Sequence, residues 1–216
     1  AAQALRLASN LIMTRLLAPD AFGLMAVVLA IEILIGMLSD LGLDASIMRS
    51  KQGAEPAFLA TARTMQLARS LFIAFIMVAV AAVLPPLAAS GFFPKGSVYA
   101  DPRLPWFMAL MALSVVVTGF NAMRVALHNR SLNLIPVIRL ELGAQAIGVA
   151  ATVAGALAGF GAYALAFGGV IGASAKSLGS HFLLSGPPAR FGFDRAHFKE
   201  IFGYGKWLLL ASTLGW

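Results

Sequence analysis

Hydrophobic residues along this chain occur in blocks of about twenty, separated by short polar stretches. The clearest block runs from Ala21 to Leu43, and the corner Pro19-Asp20 separates it from an earlier block, Ala1 to Leu17. A helix rises ~1.5 Å per residue and the hydrocarbon core of a bilayer is ~30 Å thick, so a block of this length can cross a membrane. The pattern therefore predicts a hairpin of two membrane-spanning helices.

Further hydrophobic blocks follow this hairpin. They are about Leu67 to Leu84, Trp106 to Leu127, Val137 to Phe160 and Ala162 to Leu184, with a partial seventh from Tyr204 to Trp216. The predicted fold is all-α, a polytopic transmembrane helical bundle of six spans plus the start of a seventh. In this division residues 1–184 form a six-helix transmembrane lobe, 185–203 a cytoplasmic linker, and 204–216 the truncated start of the seventh helix.

Three connections carry predictions of their own. In the connection after the second block, Pro56 is predicted to start the next helix, whose first turns are amphipathic and lead into the apolar third span. Pro85 to Pro105 is predicted to be a loop, because its prolines and glycines interrupt a regular helix. In the linker, Asp194 to Phe202 is amphipathic and is predicted either to lie at the membrane surface or to open the seventh helix. The chain lacks an initiator Met and stops within an apolar block, so we expect it to be part of a longer protein.

Composition supports a membrane protein over a soluble one. Of 216 residues, 60% are hydrophobic and only 12% are charged, whereas soluble domains are about half apolar and a quarter charged. The chain has no cysteine, which removes thiolate and cysteine–metal chemistry. The net charge of +7 raises the possibility of nucleic-acid binding. We expect no nucleic-acid partner, because the basic residues cluster in the connections between blocks.

The distribution of basic residues predicts the orientation of the bundle. The connections after spans one, three and five contain only Arg15, Lys95 and Arg103. The connections after spans two, four and six contain Arg49, Lys51, Arg63, Arg69, Arg124, Arg130, Arg139, Arg190, Arg195, Lys199 and Lys206. Since cytoplasmic loops are rich in Lys and Arg, this bias places the even connections and the N-terminal side of the first span in the cytoplasm of a multi-pass protein.

The first two blocks contain polar side chains, which are costly in hydrocarbon and normally face a polar interior. Glu32 lies near the middle of the second block and is a candidate for an ion- or proton-sensitive group; a protonated, hydrogen-bonded structural glutamate is the alternative. Arg6 and Asn10 share one helical face with Thr14 in the first block. Arg6 either lines a cavity or extends to a lipid headgroup.

The fifth and sixth blocks contribute two further candidates. A stripe on the fifth block consists of Glu141, Gln145, Gly148, Thr152 and Gly155. We expect its glycines and Thr152 to pack against another helix, and Glu141 to pair with Arg139 or Arg124. Lys176 lies ~12 Å from the inner end of the sixth block, where it either extends to the headgroups or faces inward. The candidate substrate-binding residues of an internal cavity are thus Arg6, Asn10, Glu32, Gln145 and Lys176.

The sequence contains no hydrolase nucleophile motif, phosphate-binding glycine loop or metal-ligand cluster. His128 has no second histidine at a metal-binding offset and is interpreted as a solvated loop residue. We therefore expect no cofactor, no metal and no enzymatic activity. A membrane-embedded glycosyltransferase or polymerase is kept as an alternative; it would need a catalytic carboxylate in an outer loop, where Pro85 to Pro105 offers only Asp101.

Several short strings resemble the bacterial oligosaccharide flippase, or polysaccharide transporter, family of the multidrug/oligosaccharidyl-lipid/polysaccharide flippase superfamily. The string T-R-L-L-A-P-D-A-F-G at 14–23 is similar to the first corner of that family, and L-S-D-L-G-L at 38–43 to the end of its second span. G-F-G-A-Y-A-L-A-F-G-G at 159–169 resembles the turn between its fifth and sixth spans. F-G-Y-G-K-W-L-L-L-A-S at 202–212 resembles the beginning of its seventh helix.

The resemblance implies a two-lobed protein of which this chain is the N-terminal half: the first lobe plus the start of the second. It implies translocation of polyprenyl-diphosphate-linked oligosaccharide across the bacterial inner membrane, by alternating access between the lobes. The oligosaccharide would serve O-antigen, capsule or exopolysaccharide synthesis. The implied partners are that lipid-linked oligosaccharide, membrane lipids and the missing C-terminal lobe. An anionic diphosphate needs cations in the bundle, for which Arg6 and Lys176 are the candidates. A drug/cation antiporter of the same superfamily, with Glu32 as its coupling carboxylate, is the alternative.

Overall fold

A computed structural model describes residues 14–213 except 16, 40, 41, 95 and 189, with side chains described as far as Gly205. Within these residues the bounded elements are eight α-helices and one short 3₁₀ helix, Val98–Ala100, with no strand, which confirms the predicted all-α class. The helices are α1 Pro19–Leu38, α2 Leu43–Arg49, α3 Pro56–Ala89, α4 Leu104–Gly119, α5 Arg124–Arg130, α6 Leu134–Leu157, α7 Tyr163–Phe182 and α8 Arg195–Thr213.

Among the described helices, α1, α3 and α6 are long and apolar enough to cross a membrane. The pair α4 and α5 makes a fourth candidate if the two helices are one broken span, since they meet at a bend of 63°. These three or four candidates support a helical membrane protein. The predicted count of six spans plus a seventh stays a prediction.

Helix α3 is longer than its hydrophobic block predicted. It begins at Pro56 and continues through Pro85 and Pro86 to Ala89, so the prediction that a loop begins at Pro85 is wrong. Each proline removes one helical hydrogen bond, to the carbonyl four residues earlier, and side-chain packing keeps these turns in place. Ala81 and Leu84 stay buried there and hold the last turns against the core.

The main core is built from α1, α3, α4 and α7. Its fully buried side chains include Leu24 and Val28 of α1, Met77 of α3, and Phe107 of α4. The Pro at the first position of α1, α3 and near the start of α4 suits a helix start, because the N–H that proline lacks has no helical partner there. The apolar surfaces outside this core, such as Phe72 and Phe75, are exposed and suited to lipid.

Helices α6 and α7 pack closely along the predicted small-residue stripe. A side chain on Gly168 would overlap the Thr152 hydroxyl, and one on Gly148 would come within 3.0 Å of the Gly168 carbonyl. Gly148, Thr152 and Gly155 are all buried. The prediction that these residues serve helix packing is therefore confirmed.

A second cluster joins α2, the start of α3, α5 and the start of α8. Its buried residues are Leu43, Ile47, Phe58, Leu59, Ala62, Met65, Met123, Ala126 and Ile201. The chain before α8 is also attached to α3: Thr64 Oγ1 donates to the Gly192 carbonyl at 2.8 Å, and Thr61 Oγ1 accepts from the Asp194 N–H at 3.1 Å. Asp194 to Phe202 leads without interruption into α8, so of the two predicted roles this segment opens the last helix.

Candidate functional site

A cavity of about 740 Å³ lies between the main core and the second cluster. Its walls come from α1, α2, α3, the broken region between α4 and α5, and one residue each from α6 and α7. Both apolar and polar side chains line it. The polar and charged side chains are Glu32, Asp44, Gln66, Arg69, Ser70, Thr118, Asn121, Asn129, Glu141 and Lys176.

Helix α3 supplies the most polar wall, through Gln66, Arg69 and Ser70. Arg69 Nη2 donates to the Gly36 carbonyl of α1 at 2.9 Å, while Arg69 Nε is buried without a hydrogen-bond partner among the described residues. A buried donor without a partner is costly, so its position facing a cavity suggests that a ligand or water accepts from it. In the sequence analysis Arg69 is one of the basic residues assigned to the connection after the second span. In the structure α3 begins at Pro56, eleven residues before Leu67, so Arg69 lies well inside the helix.

The break between α4 and α5 forms the opposite wall. The prediction of one continuous span from Trp106 to Leu127 is wrong, because the helix stops at Gly119 and resumes at Arg124. Gln66 Nε2 donates to the carbonyls of Gly119 and Asn121 at 3.0 and 3.2 Å. The backbone groups freed by the break thus have specific partners, as broken membrane helices require.

Helix α7 completes this support from the other side. Ser180 Oγ accepts from the Ala122 N–H at 2.8 Å, and His181 Nε2 donates to the Phe120 carbonyl at 2.8 Å. Arg124 in turn donates to the carbonyls of His181 and Leu184 at the end of α7. The bend is therefore a fixed feature of the fold, held by side chains of α3 and α7.

Glu32 lies on α1 one turn before Gly36 and lines the cavity. Its Oε2 atom is buried and has no hydrogen-bond partner among the described residues. Asn121, in the break, is similar: its backbone carbonyl is bonded to Gln66, but its Oδ1 atom is buried without a partner and it also lines the cavity. The cavity thus contains two unsatisfied acceptors and one unsatisfied donor, Arg69 Nε.

Lys176 and Glu141 form an ion pair of 2.9 Å that also lines the cavity. The prediction that Glu141 pairs with Arg139 or Arg124 is wrong, since the short turn after α6 brings Lys176 of α7 opposite Glu141. About a third of the Lys176 side chain and half of the Glu141 side chain are exposed, at 34% and 52%. Such a pair contributes at most ~1 kcal/mol, so Lys176 can exchange Glu141 for another anion at little cost.

The remaining candidates from the sequence are Arg6, Asn10 and Gln145. Arg6 and Asn10 lie outside the described residues. Gln145 is half-buried on α6, one turn after Glu141, and is not among the residues that line the cavity. His128 is buried rather than solvated, and its Nδ1 donates to the Arg124 carbonyl at 2.9 Å, because the short helix α5 packs inward at the second cluster.

A separate ionic cluster fastens the opposite corner of the molecule. Arg103 binds both carboxylate oxygens of Asp101 and reaches Asp20, at the start of α1, at 2.6 Å. The Arg103 guanidinium holds the pKa of Asp101 below its usual range. Asp101 is the outer-loop carboxylate considered for a glycosyltransferase or polymerase. It is paired with Arg103, which also binds Asp20 and so links the loop to α1. Among the described residues, no group of three or more His, Cys, Asp or Glu is arranged to hold a metal.

The apolar helices, the broken span and the polar cavity define a helical membrane protein. A model of the family described as polysaccharide biosynthesis protein matches residues 12–216, which is nearly the whole chain. The chain therefore belongs to the polysaccharide biosynthesis protein family, as the resemblance implied. No curated protein and no solved structure matches it.

Proposed function

We propose that this chain is the first lobe of a flippase that translocates polyprenyl-diphosphate-linked oligosaccharide across the bacterial inner membrane for polysaccharide biosynthesis. The observation that carries the proposal is the cavity, in which Arg69 and Lys176 present cationic groups within an otherwise apolar bundle. Its partners would be the lipid-linked oligosaccharide, membrane lipids and a second lobe of the same protein.

The chemistry of this substrate fits the cavity in two respects. A diphosphate is anionic and accepts charge-assisted hydrogen bonds, which Arg69 Nε and the exchangeable Lys176 ammonium can donate. A sugar requires polar partners of both kinds, and the cavity supplies amides and carboxylates next to apolar side chains. The lipid tail stays in the hydrocarbon, beside the exposed apolar surface of the helices.

Polysaccharide export in cells tests the proposal. Arg69→Ala and Lys176→Ala should each lower export of capsule or O-antigen, and Arg69→Ala should lower it tenfold or more, because about 1.5–3 kcal/mol is typical of a hydrogen bond to a charged group. Arg139→Ala is the matched control: Arg139 is an exposed cation on α6 that does not line the cavity. Normal export by both cavity variants, at normal protein levels, would exclude this site as the headgroup path.

A further inference from the structure

Three polar atoms of the cavity wall lack partners, and they come from three different elements: Glu32 Oε2 from α1, Arg69 Nε from α3 and Asn121 Oδ1 from the break. Three other polar atoms at this wall have partners. Gln66 bonds two backbone carbonyls, Arg69 Nη2 bonds the Gly36 carbonyl, and Ser70 Oγ donates to the Leu67 carbonyl. The unsatisfied set is therefore two acceptors and one cationic donor.

Contacts with α3 show that these atoms border the same part of the cavity. Gln66 and Arg69 are three residues apart, so they are neighbours on one helical face, with Cβ atoms about 5–6 Å apart. Gln66 contacts the backbone of Asn121, and Arg69 contacts the backbone of Gly36, one turn from Glu32. Glu32 and Asn121 therefore both lie near this face of α3, and both line the cavity with Arg69.

The three buried atoms without partners indicate which kind of ligand would fit the cavity. Two acceptors require a ligand that donates hydrogen bonds, and the guanidinium requires one that accepts. A bare metal cation would satisfy the acceptors but would face the Arg69 charge at close range, which is unfavourable in a partly buried site. A bare phosphate would satisfy Arg69 but leave both acceptors without a donor and set its charge against Glu32. A hydroxylated sugar joined to a phosphate supplies both kinds of group at adjacent positions.

We propose that Glu32 and Asn121 form a sugar subsite, in which they accept hydrogen bonds from ring hydroxyls of the first sugar while Arg69 binds the phosphate oxygen next to it. This inference rests on the proposed function and adds the part of the substrate that each residue contacts. It also sets a specificity: the sugar nearest the diphosphate carries hydroxyl or amide groups and no carboxylate, because a second carboxylate would lie against Glu32.

Binding of defined lipids to the full chain in nanodiscs tests the subsite. The probes are undecaprenyl diphosphate without a sugar, the same lipid carrying one N-acetylglucosamine, and the same lipid carrying one glucuronic acid. The unmodified chain should bind the N-acetylglucosamine lipid more tightly than either of the others. Glu32→Gln and Asn121→Ala should each reduce its advantage over the bare lipid by about fivefold, the factor that corresponds to ~1 kcal/mol.

Two comparisons separate the subsite from other roles of these residues. Affinity for the bare lipid should be unchanged in Asn121→Ala and lowered in Arg69→Ala. In Glu32→Gln it should not fall, because the substitution removes a negative charge that faces the phosphate. Glu32→Gln should also raise affinity for the glucuronic acid lipid relative to the N-acetylglucosamine lipid. Glu55→Gln is the matched control, since Glu55 is an exposed carboxylate before α3 that does not line the cavity, and it should change none of these values.

The outcomes distinguish the two proposals. If none of the three lipids binds, the flippase function itself is wrong. If the lipids bind and the advantage of the sugar survives in both variants, the sugar subsite is wrong and the function stands. If Glu32→Gln lowers the affinity for all three lipids equally, or if lipid binding depends on sodium or pH in the unmodified chain but not in this variant, Glu32 acts in ion coupling. The subsite is then likewise wrong.

Discussion

The two halves of the bundle differ in whether their buried polar atoms have hydrogen-bond partners. Where α6 meets α7, small residues bring the backbones together and the one buried hydroxyl, Thr152, is satisfied within its own helix by the Gly148 carbonyl at 3.0 Å. Where α1, α3 and the broken span meet, a cavity separates the helices and three polar atoms remain without partners. The first arrangement stabilises the lobe; the second leaves hydrogen-bonding capacity for a ligand.

The largest effect should come from filling the close contact between α6 and α7. Gly168→Val would overlap Thr152 and the Gly148 carbonyl, neither of which can move freely, and should lower the free energy of unfolding by about 2–3 kcal/mol or prevent folding. Unfolding in detergent micelles measures this. Gly143→Val is the control, because nothing lies within 4 Å of a side chain added at Gly143. Equal stability of the two variants would contradict the close packing described here.

The support of the broken span should give the next effect. Gln66→Leu removes the donor to the Gly119 and Asn121 carbonyls and should cost about 1–3 kcal/mol, as expected for leaving buried acceptors without a partner. Thermal unfolding of the purified chain measures it.

Gln52→Leu provides the matched comparison for that variant. Gln52 is exposed in the turn before α3. Its backbone N–H donates to Ser50 Oγ and its carbonyl accepts from the Glu55 N–H, and the substitution keeps both bonds. If Gln66→Leu were as stable as Gln52→Leu, the side chain would not be what holds the bend.

The ionic cluster at Arg103 predicts a small dependence on pH. The pKa of Asp101 is lower in the fold than its ordinary value of 3.8, so the contribution to stability is complete above that value and is lost as pH falls through the lower folded pKa. The pair is partly exposed, which limits the contribution to ~1 kcal/mol. Asp101→Asn should be less stable than the unmodified chain at pH 6, with the difference shrinking toward pH 2. A difference that grows in acid would refute the assigned direction.

The smallest effect should come from the Lys176–Glu141 pair, which borders both halves. Glu141→Gln should change the free energy of unfolding by less than about 1 kcal/mol, because the pair is exposed. If Lys176 exchanges Glu141 for the lipid diphosphate, the same variant should bind undecaprenyl diphosphate up to about fivefold more tightly. Weaker binding would show that Glu141 does not compete for Lys176.

The sequence was sufficient to predict the packed half and only part of the open half. The helical class follows from block length, and the packing role of Gly148, Thr152 and Gly155 follows from their spacing, which is a local property of one helix. That α7 is the helix they pack against was not predicted. The pairing of Lys176 with Glu141 depends on the register between two helices, which a stripe on one of them does not determine. Both residues were nevertheless singled out by their positions within apolar blocks.

Two features of the cavity were missed for identifiable reasons. The block from Trp106 to Leu127 is largely apolar and lacks proline. The break was visible only as Gly119 followed by the polar residues Asn121 and Arg124. Arg69 was assigned to a connection because the apolar part of α3 begins near it, whereas the helix begins at Pro56. The predicted helix start at Pro56 is confirmed, and the amphipathic first turns of α3 pack on α2 and α8. Arg69 was nevertheless counted with the connection, because the membrane span was taken to begin at the apolar part of the helix.

The attachment of residues 191–202 to the start of α3 has a mechanical consequence. Bonds from Thr61 and Thr64, and the 2.6 Å bond from Ser50 Oγ to Glu200, join the first turns of α8 to α2 and α3 as one body. If the later part of α8 rotates relative to this lobe, either those bonds must break or the helix must bend after the buried Ile201. Gly203 and Gly205 follow at once, and glycine is the residue that resists such flexing least.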